Sequence, residues 1–163
     1  MIFDRFFDKV KITFEVDGKP PQKSGWAGND APLIIKLRKT ALAARNKLGI
    51  DCISVPVKLK LTVYAPNIDD KDDTQFRTTK KESDKYVGDL DSLIAGICDY
   101  LSRVPTDPGE NNFQPSLLFN DHPEIDPTIP LIIKDDSLIK NVMADKKESK
   151  HNEIYYVMEI EII

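Results

Sequence analysis

The stretch Val55-Pro-Val-Lys-Leu-Lys-Leu-Thr-Val-Tyr-Ala65 decides how this chain is read. Val57, Leu59, Leu61 and Val63 alternate with Lys58, Lys60, Thr62 and Tyr64, so one face of an extended segment is apolar and the other polar. That period of two predicts a strand with one face on a core and one in water. The same alternation recurs at residues 10 to 16, where Val10, Ile12, Phe14 and Val16 share a face. It recurs again at 153 to 163, with Ile154, Tyr156, Met158, Ile160 and Ile162. A fourth strand is predicted at about 137 to 145.

Between these strands the period changes. From about 32 to 48, Leu33, Leu37, Ala41, Ala44 and Leu48 recur at helical spacing, with Pro32 suited to the first turn and Gly49 to the C-terminal end. From about 89 to 103, Leu90, Leu93, Ile94, Ile97 and Leu101 form a second apolar stripe, while Asp91, Ala95 and Asp99, four apart, share another edge. The order strand, helix, strand, helix, strand, strand predicts an α+β domain: a mixed β-sheet with two main helices packed mainly on one face. Residues 1 to 163 read as a single domain. A charged loop is expected at 66 to 88. A proline-rich insertion is expected at 105 to 130, where six of the eleven prolines fall and regular structure is disfavoured.

Composition narrows the function classes. The chain is 40% hydrophobic and 31% charged, without an apolar run long enough for a membrane span, and so reads as a soluble globular protein. Acids interrupt the first ten residues where an export signal needs an apolar run. Cys52 and Cys98 lie far apart and read as reduced thiols, so a cytoplasmic setting is expected. The net charge of -4 argues against a uniformly basic nucleic-acid binder. Lys36, Arg38, Lys39, Arg45 and Lys47 nonetheless crowd one acid-free stretch, and Arg77, Lys80, Lys81 and Lys85 another. Neither GxGxxG nor a P-loop pattern occurs, and His122 and His151 are isolated.

The residues that point to chemistry are Asp89-Leu-Asp91, at a helix start, and Asp135-Asp136, in a connection between strands. Converging carboxylates suit a hard divalent cation such as Mg2+, which takes oxygen ligands. Asp is equally a favoured helix-start and turn residue, and that plainer role stands beside the metal role.

The run Gly88-Asp-Leu-Asp-Ser-Leu-Ile-Ala-Gly-Ile-Cys-Asp-Tyr-Leu101, followed by Ile132-Ile-Lys-Asp-Asp-Ser-Leu-Ile139, resembles the RusA family of Holliday junction resolvases. The family's early strand and proline-containing loop are similar to Ile12 through Pro21. Its Pro-Val-Lys strand is similar to Pro56-Val-Lys-Leu-Lys-Leu, and a lysine in its penultimate strand corresponds to Lys146. The resemblance implies a RusA-like fold and a Mg2+-dependent endonuclease that works as a homodimer on four-way DNA junctions, in recombination and repair. It implies Asp89, Asp91 and Asp136 as the catalytic, metal-binding carboxylates, with Asp99, Asp135 and Lys146 in supporting roles. Lys36, Lys39, Lys80 and Lys81 are the expected DNA contacts. Where that family has a lysine one turn after the second Asp, this chain has Ala95, and Ser92 stands at the family's Asn position. The alternatives are a catalytically weakened relative that binds branched DNA without efficient cleavage, and a protein-interaction module using the proline-rich insert.

Overall fold

The computed structural model describes residues 10–23, 30–66, 88–103 and 115–163. The interior of the charged loop, with Arg77, Lys80, Lys81 and Lys85, and residues 104–114 of the insertion lie outside the described residues.

Among the described residues, four strands and two α-helices carry the fold: β1 (Lys11–Asp17), α1 (Ala31–Leu48), β2 (Val57–Ala65), α2 (Leu90–Leu101), β3 (Ile139–Glu148) and β4 (Tyr155–Ile162). The strands make one mixed sheet in the order β1-β4-β2-β3. β4 is antiparallel to both its neighbours, and β2 is parallel to β3. The period-two reading holds at the level of single residues. Ile12, Phe14 and Val16 of β1, Val57, Leu59, Leu61 and Val63 of β2, and Tyr156, Met158 and Ile160 of β4 are all buried in one core. That core also takes Ile34 and Leu37 from α1 and Leu93, Ile97 and Leu101 from α2. At about 25 cal/mol per Å² of apolar surface removed from water, burial on this one face is the main stabilising term. The mixed α+β architecture is as expected. Among the described residues, no helix is long and apolar enough to cross a membrane.

Both helix boundaries have local causes. Pro32 stands in the first turn of α1, where its missing N–H leaves no bond unmade, and Gly49 ends the helix at φ +67° with its N–H on Asn46 O at 3.0 Å. Asp30 precedes α1 without capping it; its carboxylate accepts the Gln22 N–H at 2.8 Å instead.

Two expectations are corrected. The buried face of α1 is Ala31, Ile34, Leu37, Arg38 and Ala41, whereas Leu48 is 50% exposed. Arg38, one of the basic residues of the acid-free stretch, is fully buried. Ile35 and Leu42 are partly buried and pack against the same core.

The insertion is the second correction. Its described part forms two short 3-10 turns, Leu117–Asp121 and Pro123–Ile125, that bury Phe119 and Ile125. The cause is Arg38, which donates to five carbonyls: Ile125 at 2.8 Å, Tyr100 at 2.6 Å, Ser102 at 3.2 Å, Asp126 at 2.7 Å and Ile129 at 2.7 Å. Arg45 adds a bond to Leu131 O at 2.6 Å. A planar fork with five donors suits a cluster of carbonyls left over at a helix end and in turns. The proline-rich chain is thereby part of the core's wall, and Leu131, Ile132 and Ile133 follow it into the interior.

Candidate functional site

The carboxylates expected to act together are distributed by the way α2 links the two parallel strands. A parallel pair needs a crossover, and α2 is that crossover. Its last residue meets the chain entering β3, because Leu101 O accepts the Ile132 N–H at 3.2 Å. Ile53 and Ile133 then form a parallel bridge just ahead of β2 and β3. The Asp135-Asp136 turn therefore follows directly from the end of α2.

Asp89 stands at the other end, preceding a helix of 12 residues, which at 1.5 Å per residue is roughly 18 Å long. Asp89 is extended (φ -76°, ψ 141°) and makes no side-chain cap bond, while Asp91 lies in the first turn; both are exposed. Among the described residues, no three His, Cys, Asp or Glu side chains form a group able to hold a metal ion.

Asp136 instead lies by the last turns of α2. Its charge acts on both Asp99 and Cys98. Burial raises the Asp99 carboxyl above its ordinary range, Lys23 opposes that rise and Asp136 adds to it. Burial also pushes the Cys98 thiol up to about 11, with Asp99 and Asp136 adding to the shift. A thiol so held is neutral, and this removes Cys98 as a nucleophile. Asp135 shapes the backbone, since its Oδ1 accepts the Ser137 N–H at 2.7 Å and opens the 3-10 turn Asp136–Leu138. Bonding to Ser137 lowers its pKa, and Arg103 contributes further. Asp135 thus fixes the turn that presents Asp136.

The remaining expected residues lie elsewhere. Lys146 is beside Val63 in the β2–β3 register and is half-buried, far along β3 from Asp136. Lys36 and Lys39 are exposed on α1, and Lys80 and Lys81 are outside the described residues. Ala95 is half-buried.

One residue was missed by reading the sequence. The residue is Lys23: Pro21 to Lys23 follow β1 and are laid onto α2. A Cβ at Gly96 would stand 2.8 Å from Pro21 O and 3.0 Å from Lys23 N, so only glycine permits the approach. Buried Tyr100, one turn on, donates its hydroxyl to Gln22 O. Nothing local to Pro20-Pro21-Gln22-Lys23 announces this. The one signal was Gly96 itself, a glycine in the middle of a helical pattern, which often marks close packing.

Comparison of the sequence with protein-family models finds no match, and comparison with curated proteins finds none.

Proposed function

We propose that this protein is a Mg2+-dependent endonuclease of RusA-like type, acting on branched DNA such as four-way junctions during recombination and repair, as a homodimer in the cytoplasm. The observation that carries the proposal is the turn fixed by Asp135, which presents Asp136 by the last turns of α2, where its charge acts on Asp99. Mg2+ is commonly held by one or two carboxylates, several waters and a substrate phosphate, and the pair fits that donor set. The resemblance would add Asp89 and Asp91, at the start of α2, to Asp136.

Bound at the pair, the cation would supply charge neutralisation at the phosphate and a more acidic water. The chain's own contribution is positional. Asp135 holds the turn behind Asp136. The last turns of α2 hold Asp99 half-buried, where removal from water and the neighbouring carboxylate make its negative charge unfavourable until a cation compensates it. Lys36 and Lys39 on the exposed side of α1 offer phosphate contacts away from the site.

Binding without efficient cleavage is the second reading. It is favoured by Ala95, whose methyl group on the Asp91–Asp99 edge can neither stabilise an anion nor carry a proton. Incubating the protein with a synthetic four-way junction, with and without Mg2+, separates the two. Nicking that needs Mg2+ and disappears in Asp136→Asn supports the nuclease; a stable complex with intact strands in Mg2+ supports the binder.

A further inference from the structure

Among the described residues, β3 is the longest strand, ten residues against seven to nine in the others, and it stands at an edge of the sheet. Edge strands are ordinarily kept short, because their unpaired N–H and C=O groups invite another chain. No side chain of β3 is buried, although it lies against β2, whose Val57, Leu59, Leu61 and Val63 are all in the core. Val142, opposite Leu59 on the core side, is 45% exposed, and Met143, opposite Lys60 on the other face, is 44% exposed. Among the described residues β3 pairs with β2 alone, so its outer edge has no ladder partner.

The charges of β3 make this edge complementary to itself. In a two-fold antiparallel pair, residues at equal distances on either side of the axis meet, and like charges directly opposite are destabilising. An axis at Met143 would set Lys140 against Lys146, and one at Asp145 would set Asp145 against its own copy. An axis at Val142 would set Ile139 against Asp145 and leave Lys146 to Glu148 beyond the partner strand. An axis at Ala144 avoids all three. It brings Lys140 opposite Glu148 of the second copy, twice over by symmetry, and the small Ala144 opposite itself, while the stem of Lys146 covers Val142. The irregular step of the β2–β3 ladder falls at Lys140, so the run from Asn141 to Glu148 is regular. Among the described residues neither Lys140 nor Glu148 makes an ion pair within its own chain.

We infer that a second copy of this chain docks on β3, strand against antiparallel strand about a two-fold axis at Ala144, joining the two sheets into one. This pairing supplies the surface for the homodimer proposed above and depends on no nuclease activity.

Sedimentation of the full chain at several concentrations, without DNA, should show a monomer–dimer equilibrium. Lys140→Glu and Glu148→Lys should each weaken it by roughly tenfold, since two cross-strand attractions become repulsions, and the two changes together should restore it. In a Cys52→Ser, Cys98→Ala background, Ala144→Cys should form an intermolecular disulfide on mild oxidation and Met143→Cys should not. Opposed β-carbons stand about 5 Å apart, whereas diagonal ones lie beyond disulfide reach. A protein that stays monomeric at every concentration, a dimer indifferent to both charge reversals, or a link at position 143 and not at 144 overturns the inference, even if junctions are nicked. A dimer that responds to the charge exchange but nicks nothing leaves the inference standing and overturns the nuclease reading instead.

Discussion

Arg38 of α1 donates its Nε–H to the carbonyl of Ile125 at 2.8 Å, across 87 residues of chain, and both residues are completely buried. Burial pushes the guanidinium down to about 10, with the Asp126 charge opposing that shift, so it stays charged near neutral pH. Arg38→Met keeps an apolar stem but leaves the carbonyls of Tyr100, Ser102 and Ile125 without this donor. Each stranded buried acceptor costs about 1–3 kcal/mol, and loss of a buried charged partner typically costs about 3–5 kcal/mol in all. Urea unfolding should show a loss in that range. A change below about 1 kcal/mol would mean that the insertion is held by Phe119 and Ile125 alone.

Gly96→Ala tests the contact of α2 with Pro21. In a free helix this change is favourable by about 0.8–1 kcal/mol. Here the new methyl carbon meets Pro21 O at 2.8 Å and Lys23 N at 3.0 Å, which are backbone atoms that cannot swing aside. Overpacking of this kind costs about 1–3 kcal/mol, so the net effect should be destabilising. A rise in the denaturation midpoint would show that the Pro21–Lys23 segment yields easily.

The ion pair Lys11–Glu159, with N and O 2.5 Å apart on the face of the sheet away from the helices, makes a pH prediction. Bonding to Lys11 lowers the pKa of Glu159 below 4.5, so this contribution is fully present above about pH 4.5 and is lost as pH falls through the lowered value. Lys11→Met should therefore be less stable than the parent at neutral pH, and the two should converge in acid. A difference that stays constant down to about pH 2 would assign the effect to packing of the lysine stem; the measurement is thermal unfolding across that range.

Substitutions along α2 distinguish the carboxylates. Asp136→Asn and Asp99→Asn should each weaken Mn2+ binding, followed by electron paramagnetic resonance, whereas Asp89→Asn should leave it nearly unchanged. Equal losses at Asp89 and Asp136 would mean that the start of α2 and the Asp136 turn share one cation, as the RusA resemblance implies.

Ala95→Lys adds an ammonium one turn from both Asp91 and Asp99. If the parent nicks junctions slowly, the variant should nick them faster at equal Mg2+, with DNA affinity changed much less. No gain over a rapidly cleaving parent would mean that another cation of the chain already supplies this charge.

The alternation in Val57 to Val63 and in Tyr156 to Ile160 was sufficient to find the sheet, because a strand's period of two depends only on which side chains avoid water. Both helices were legible from apolar spacing, and the ends of α1 from Pro32 and Gly49, although that spacing misplaced part of the buried face of α1. Arg38 was not legible. Its charge placed it on the wet side of α1, and only carbonyls arriving from residues 100 to 129 make its burial favourable. The Asp89-Leu-Asp91 and Asp135-Asp136 runs were visible as carboxylates, but where each sits depends on the parallel pairing of β2 with β3 and on α2, which links those strands. Asp99 and Lys23 became neighbours through a close approach at Gly96 that no local pattern encodes. Periodicity is a property of adjacent residues and can be read from sequence; the meeting of charges from distant segments is set by packing and needs the folded chain.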